Sequence, residues 1–309
     1  MRVVFWKELA DLFGSKRFII LFFLILIVAG AAVYLAGQSL QENPPLDTSY
    51  VYLRLFTQGA GGLPSFLSFL SFFGPLLGIL LGFDAVNSEF SRGTVSRVLA
   101  QPIYRDSWIN GKFLAGLATL ALALAGIILI IFGLGLYALG FPPDGGELAR
   151  MFTFFLLGLV YLGFWLALGI LFSILFRQAA SSALAGIAVW LFFTLFFYMA
   201  AGLIADQLAP VALDSPPQEW ARHEAIRDMV LRFSPVTLFE EATRAVLMPT
   251  YRGLGIVQAL LQPNVPTNPL PLGQSLLIVW PQLVSLVALT AVCFGISYVL
   301  FMRREVRAI

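Results

Sequence analysis

Six stretches of this chain contain no Asp, Glu, Lys or Arg over lengths that would cross about 30 Å of hydrocarbon at 1.5 Å per residue. They run from Phe18 to Gly37, Leu63 to Phe83, Phe113 to Phe141, Met151 to Phe176, Ala179 to Ala205 and Leu272 to Met302. Inside a bilayer every backbone N–H and C=O must find its partner within the protein, so apolar runs of this length fold as helices. Composition agrees: 59% of residues are hydrophobic and only 12% charged, against roughly 25% charged in a soluble domain. A water-soluble enzyme is excluded. The predicted fold is all-α and integral to the membrane, with six transmembrane helices.

Positive residues are retained on the cytoplasmic side of a membrane protein. With the N-terminus inside, the inner segments hold Arg2, Lys7, Lys16, Arg17, Arg92, Arg97, Arg105, Lys112, Arg177, Arg303, Arg304 and Arg307, which is 12 of the 19 basic residues. The outer loops hold the rest, beside acids that include Glu42, Asp47, Asp144, Glu147, Asp214 and Glu219. Both termini are therefore predicted to be cytoplasmic, in a multi-pass protein of the cell (inner or plasma) membrane. The first 17 residues are too long and too patterned for the charged start of a signal peptide. Val4, Phe5, Leu9, Leu12 and Phe13 fall near helical spacing, with Lys7, Glu8, Asp11 and Lys16 opposite, which predicts an interfacial amphipathic helix over 1–17.

Gly74-Pro75 and Pro281 predict bends in the second and sixth spans. Residues 206–271 form the longest outer region and read as two short helices and a loop. Ile226, Met229, Val230 and Phe233 make an i, i+3, i+4, i+7 stripe that should lie on the membrane or the bundle. Ser234-Pro235 stops that helix, and Thr237 with Glu240 has the spacing of a capping box opening a second helix to about Leu247. The predicted organisation is thus 1–17, an interfacial helix; 18–205, five spans with an inner loop at 84–112; 206–271, extracytoplasmic helices; and 272–309, the sixth span and a cytoplasmic tail.

Catalytic chemistry finds little support. One Cys (Cys293) and one His (His223) do not make a metal cluster, and no catalytic or metal residues are assigned. Cys293 reads as a packing residue, and His223, among Arg222, Glu224 and Arg227, as a solvated side chain. Gly111-Lys112 is followed by Phe113 and lacks the upstream glycine of a phosphate loop, so this chain is expected to bind no cofactor. A net charge of +2 is too small to suggest a nucleic-acid partner.

The inner loop Asp84 to Lys112 is unusual because it mixes charge with Phe90, Val95, Val98 and Leu99. Such a mixture suits a membrane-surface helix near anionic lipid or a docking surface for a soluble partner. Here Glu89, Arg92-Gly93-Thr94, Leu99, Pro102, Arg105 and Lys112 resemble the "E-x-x-x-G-T-x-x-x-L-x-x-P-x-x-R" loop of ABC-2 type permeases, the membrane subunits of ATP-binding-cassette exporters. Lys7-Glu8-Leu9-x-Asp11 with Ser15-Lys16-Arg17 is similar to the interfacial helix of the same family.

The resemblance implies a permease that pairs with a second membrane half, often an identical copy, and with two ATPase subunits that bind ATP and Mg. It further implies a coupling helix in the 84–112 loop, with Glu89, Arg92, Gly93 and Thr94 at the ATPase groove and Arg177 as a further contact. Transport would proceed by alternating access in a homodimer. Phe69, Phe72 and Phe73 on the second span and Trp190, Phe193 and Phe197 on the fifth are the candidate lining of a path for lipidic or amphipathic cargo. Aromatic residues at this spacing also serve simply as packing. An alternative keeps the ATPase but replaces solute export with mechanical coupling to an extracytoplasmic assembly or maturation partner. A secondary transporter or a membrane enzyme would need ionisable groups at membrane depth, and the six runs carry none.

Overall fold

The computed structural model describes residues 1–43, 50–91, 93, 104–212, 215–250 and 269–303. Their order is α1 (Arg2–Phe13), α2 (Lys16–Glu42), α3 (Val51–Thr57), α4 (Phe66–Gly82), α5 (Asn87–Ser91), α6 (Arg105–Leu139) and α7 (Gly145–Leu175). There follow α8 (Ala179–Leu191), a π turn (Phe192–Phe196), α9 (Phe197–Leu208), α10 (Pro217–Leu231), α11 (Pro235–Leu247) and α12 (Leu272–Arg303). Among the described residues six helices are long and apolar enough to cross a membrane: α2, α4 continued through α5, α6, α7, α8 continued through α9, and α12. All six expected spans are present. The third begins earlier than its apolar run, at Arg105 rather than Phe113, so Trp108 and Lys112 belong to the helix. α4 and α12 continue through Pro75 and Pro281.

The centre of the bundle is α7, whose most apolar stretch is 78% buried, against 11% for α8–α9 and for α12. Its start is fixed by a capping box: Asp144 accepts the Glu147 N–H, and the Glu147 carboxylate accepts the Asp144 N–H. Glu147 also accepts the Tyr52 N–H at 2.9 Å, which seats α3 on α7.

What brings α4 onto α7 is the absence of side chains. A Cβ at Gly78 would lie 2.8 Å from the Leu162 carbonyl oxygen and the Leu166 nitrogen, and one at Gly82 would lie 2.7 Å from the Leu166 carbonyl oxygen. Small residues permit this backbone approach, and van der Waals packing then replaces the hydrophobic drive that lipid does not supply. Trp190 on α8 joins the same pair by donating its indole N–H to the Phe72 carbonyl at 2.8 Å.

α11 lies inside the bundle. Pro235 through Phe239 and Ala242 are buried, and Phe239 stacks on Tyr161 of α7 with ring centroids 4.2 Å apart. Tyr161 sits 16 residues into α7, about 24 Å along it. At the other end of α11 the Val246 carbonyl accepts from Arg150, near the start of α7. So α11 runs antiparallel to α7, with its first turn near the middle of that span. The cap differs from the expected one: Ser234 accepts the Val236 N–H and Pro235 takes the first turn. Proline suits that position because its missing N–H is not needed there. Glu240 is consequently free of capping duty and points elsewhere.

α10 packs along α9. His223, expected to be solvated, is 6% exposed and shares a hydrogen bond with Asp206 of α9 at 3.0 Å. Of the Ile226, Met229, Val230 and Phe233 stripe, Ile226 and Val230 are half-buried while Met229 and Phe233 are 65% and 75% exposed, clear of the bundle.

Candidate functional site

At one end of the molecule α1 lies across the start of α6. Val4 packs against Gly111, where a Cβ would meet the valine Cγ1 at 2.9 Å, and one turn later Glu8 reaches Lys112 at 2.9 Å. The Lys112 ammonium also donates to Glu89 of α5 at 2.7 Å and lies 4.6 Å from the centre of the Trp108 ring. Its side chain is 3% exposed. One buried cation thus joins three elements, α1, α5 and α6. Lys7 adds contacts to Glu8 at 2.9 Å, Asp11 at 3.3 Å and Glu89 at 3.7 Å. Arg17 at the start of α2 pairs with Asp84 at 3.1 Å. Lys7, Glu8, Asp11, Asp84, Glu89 and Lys112 line a cavity of about 600 Å³.

The charges tune one another. Burial pushes the Glu8 carboxyl up, but the ammonium groups of Lys112 and Lys7 outweigh it and hold the group below the ordinary carboxylate range. Burial would lower Lys7, yet Glu8, Glu89 and Asp11 together raise it. Both shifts favour the ionised forms. The cluster connects onward to α12, because Trp108 stacks on Phe301 with centroids 4.9 Å apart.

The residues singled out from the sequence fall as follows. Glu89 turns its carboxylate inward onto Lys112. Gly93 is exposed, with φ of +67°, and a Cβ there would meet nothing within 4 Å. Arg92, Thr94 and the rest of the stretch 94–103 lie outside the described residues. Arg177 is exposed in the turn between α7 and α8. It shares the end of the bundle that holds α5, because the nearby Ser173 hydroxyl accepts the N–H groups of Val86 and Asn87. The aromatic set is packed: Phe69 against Phe73 at 4.6 Å, Phe72 against Trp190 at 5.1 Å, and Phe193 against Phe197 at 5.4 Å.

Sequence reasoning missed the opposite half. Arg150 is 1% exposed and donates to the carbonyls of Val246 and Leu270 and to the Ser275 hydroxyl, tying the end of α11 to the start of α12. Deeper down, Glu240 accepts from Ser71 of α4 at 2.8 Å and Glu241 from Gln282 of α12 at 2.9 Å. A lone Arg near the start of a span, and two adjacent acids after a proline-capped helix start, were the available signals. Among the described residues no group of three or more His, Cys, Asp or Glu side chains could hold a metal ion.

A bundle of six bilayer-length helices, with a charged junction at one end and a helix re-entering from the other, is a multi-pass membrane protein built around coupled helices. The chain belongs to the ABC-2 transporter family: the family described as "ABC-2 family transporter protein" matches residues 2–306. Two relatives bear the name "Probable ABC transporter permease protein NosY". That of Stutzerimonas stutzeri is 33% identical over 150 residues, covering 46% of this chain and 51% of the relative. That of Pseudomonas aeruginosa is 33% identical over 149 residues, covering 47% and 53%. The match spans about half the length of each relative.

Proposed function

We propose that this chain is the permease subunit of an ABC-2 type transporter, exporting a lipidic or amphipathic cargo by alternating access while a separate ATPase hydrolyses ATP. Two copies would pair with two ATPase subunits, and the ATPase would hold the nucleotide and Mg. The end bearing α1, α5 and Arg177 is assigned to the cytoplasm on the bias of its basic residues. Glu89, Arg92, Gly93, Thr94 and Arg177 couple the two proteins, and Phe69, Phe72, Phe73, Trp190, Phe193 and Phe197 line the path when the helices part.

The observation that carries this reading is Lys112. Because it is bonded to both Glu8 and Glu89, a push on the segment that leaves α5 reaches α1 and α6 together rather than bending one loop. Arg17 and Asp84 add α2 to the same unit. A junction of this kind converts a local displacement by a soluble partner into movement of several spans.

Gly93 supplies the test. A side chain there costs this chain only the left-handed backbone, roughly 1 kcal/mol, since its Cβ meets nothing within 4 Å. Gly93→Leu is expected to insert normally yet to lose its ATPase on co-purification from native membranes, and with it nucleotide-dependent transport. Full retention of the ATPase by this variant would overturn the coupling assignment.

A further inference from the structure

We infer that the cavity between α3 and the end of α11 binds an anion, a phosphate or carboxylate, received by Arg54 at the outer ends of the spans. This cavity lies apart from the path proposed above, since none of Phe69, Phe72, Phe73, Trp190, Phe193 and Phe197 lines it. Binding there requires no ATPase.

The two faces of α3 are the first observation. Val51, Tyr52, Leu53, Leu55 and Phe56 are buried against the bundle. Arg54, Thr57 and Gln58 follow the i, i+3, i+4 spacing of a single helix face, and Tyr50 precedes them by one turn. A short amphipathic helix ordinarily turns such a polar face to water. Here all four residues line a cavity of about 360 Å³ whose remaining wall includes Leu247, Met248, Pro249 and Pro269. A volume of that size suits a small ligand. One wall carries polar groups on a rigid helix, and the other is mostly hydrocarbon.

Charge is the second. Among the described residues that line the cavity, Arg54 is the one with a charged side chain. Arg150 lies behind the Tyr50 ring, 5.4 Å from its centre. Its hydrogen bonds go to neutral groups, the carbonyls of Val246 and Leu270 and the Ser275 hydroxyl. Asp144 and Glu147, the acids of the α7 cap, accept backbone N–H groups and do not line the cavity. The wall is therefore positive toward a ligand. A guanidinium receives carboxylate or phosphate oxygens in a forked pair, and the Tyr50 hydroxyl and Gln58 amide are further donors on the same wall.

Stored strain is the third. Among the described residues Tyr50 is the one non-glycine with a positive φ, +59°. The left-handed conformation is unfavourable for a residue with a Cβ, and where surrounding structure enforces it the position often belongs to a ligand clamp. The second wall is fixed as well: the Leu270 N–H donates to the Pro249 carbonyl at 2.9 Å.

Depth indicates where the anion comes from. Arg150 is the sixth residue of α7, about 8 Å from its start. The spans are 26–35 residues long, more than the roughly 20 that cross hydrocarbon. The cavity thus lies at the level of the outer headgroups, and its apolar wall favours an acidic lipid over a free anion.

The test is native mass spectrometry of the whole chain in an uncharged detergent, with phosphatidate, phosphatidylcholine or inorganic phosphate added in separate runs. One phosphatidate per chain is expected to be retained about tenfold better than phosphatidylcholine, the gain of a charge-assisted pair. Arg54→Gln should abolish that preference, and Arg54→Lys should keep part of it. Met248→Glu sets a negative charge on the apolar wall at a position already 37% exposed. It should abolish the preference too, and it serves if loss of Arg54 prevents folding. Inorganic phosphate retained as well as phosphatidate, and lost in the same variants, supports the anion site with a free anion as its source. Equal retention of phosphatidate and phosphatidylcholine without retained phosphate, or a preference unchanged in both Arg54→Gln and Met248→Glu, overturns the site and leaves the coupling reading intact.

Discussion

Replacing Lys112 with methionine isolates the junction at the α1 end. Methionine preserves most of the aliphatic stem on Trp108 but removes the ammonium that lies 2.9 Å from Glu8 and 2.7 Å from Glu89. Two carboxylates, 12% and 14% exposed, then face each other beside Lys7, which is itself 57% exposed and screened by water. Removing one partner of a buried ion pair costs about 3–5 kcal/mol, and partial compensation by Lys7 places this case near 3 kcal/mol. The sign of the pH dependence is the sharper criterion. In the native chain Glu8 is held below its unfolded pKa, so its contribution is present above the ordinary carboxylate range and is lost as pH falls through the depressed value. Lys7 is raised, so its contribution is present below its unfolded pKa and is lost only as pH rises through the higher folded value. Neither predicts a gain on mild acidification. In Lys112→Met burial, the largest single influence on Glu8, is opposed by less, so the folded pKa of Glu8 rises from its native position and protonation relieves the docked α1. Hydrogen exchange of residues 2–13 should therefore quicken by roughly two orders of magnitude at neutral pH and slow again near pH 5. Native protection of α1 in the variant at neutral pH, or no recovery on acidification, would refute the reasoning.

Two further substitutions probe the bundle. Gly82→Val places atoms against the Leu166 carbonyl and the Ile170 nitrogen, backbone that cannot yield, so thermal stability in detergent should fall by at least 1–3 kcal/mol. Gly126→Ala, which meets nothing within 4 Å, should be neutral or slightly stabilising, and equal behaviour of the two would refute the close-approach account. Arg150→Met leaves the carbonyls of Val246 and Leu270 without their donor, at about 1–3 kcal/mol for each buried group. Limited proteolysis should then cut more readily between Pro249 and Pro269, and Arg150→Lys should not rescue, because a single ammonium cannot reproduce the planar fork. Unchanged cleavage would count against Arg150 as the tie between α11 and α12.

Much of the fold was legible because lipid imposes simple rules. Runs without charge had to be helices, and all six spans are found where those runs lie. The junction at the α1 end was partly legible: Lys7, Glu8, Glu89 and Lys112 were all marked by the resemblance, Glu89 as a contact for another protein and Lys7 and Glu8 as part of an interfacial helix, but not as partners of one another. That Glu89 faces Lys112 follows from α6 starting at Arg105, and polar residues before an apolar run conceal a helix start. The four-residue spacing of Gly74, Gly78 and Gly82 marks the face of α4 that meets α7, a signal that the neighbouring Pro75 overshadows. His223 read as solvated because its own helix is charged, whereas its partner Asp206 belongs to α9.

The sequence by itself determined that the chain lives in a bilayer, how many times it can cross, and which family it resembles, because these depend on local hydropathy and contiguous motifs. Only the tertiary structure decided that α7 is the centre, that Lys112 binds α1 to α5, and that α11 re-enters to place Glu240 and Glu241 between α4 and α12. Each of those joins residues far apart in the chain, by packing and charge pairing that no local pattern encodes.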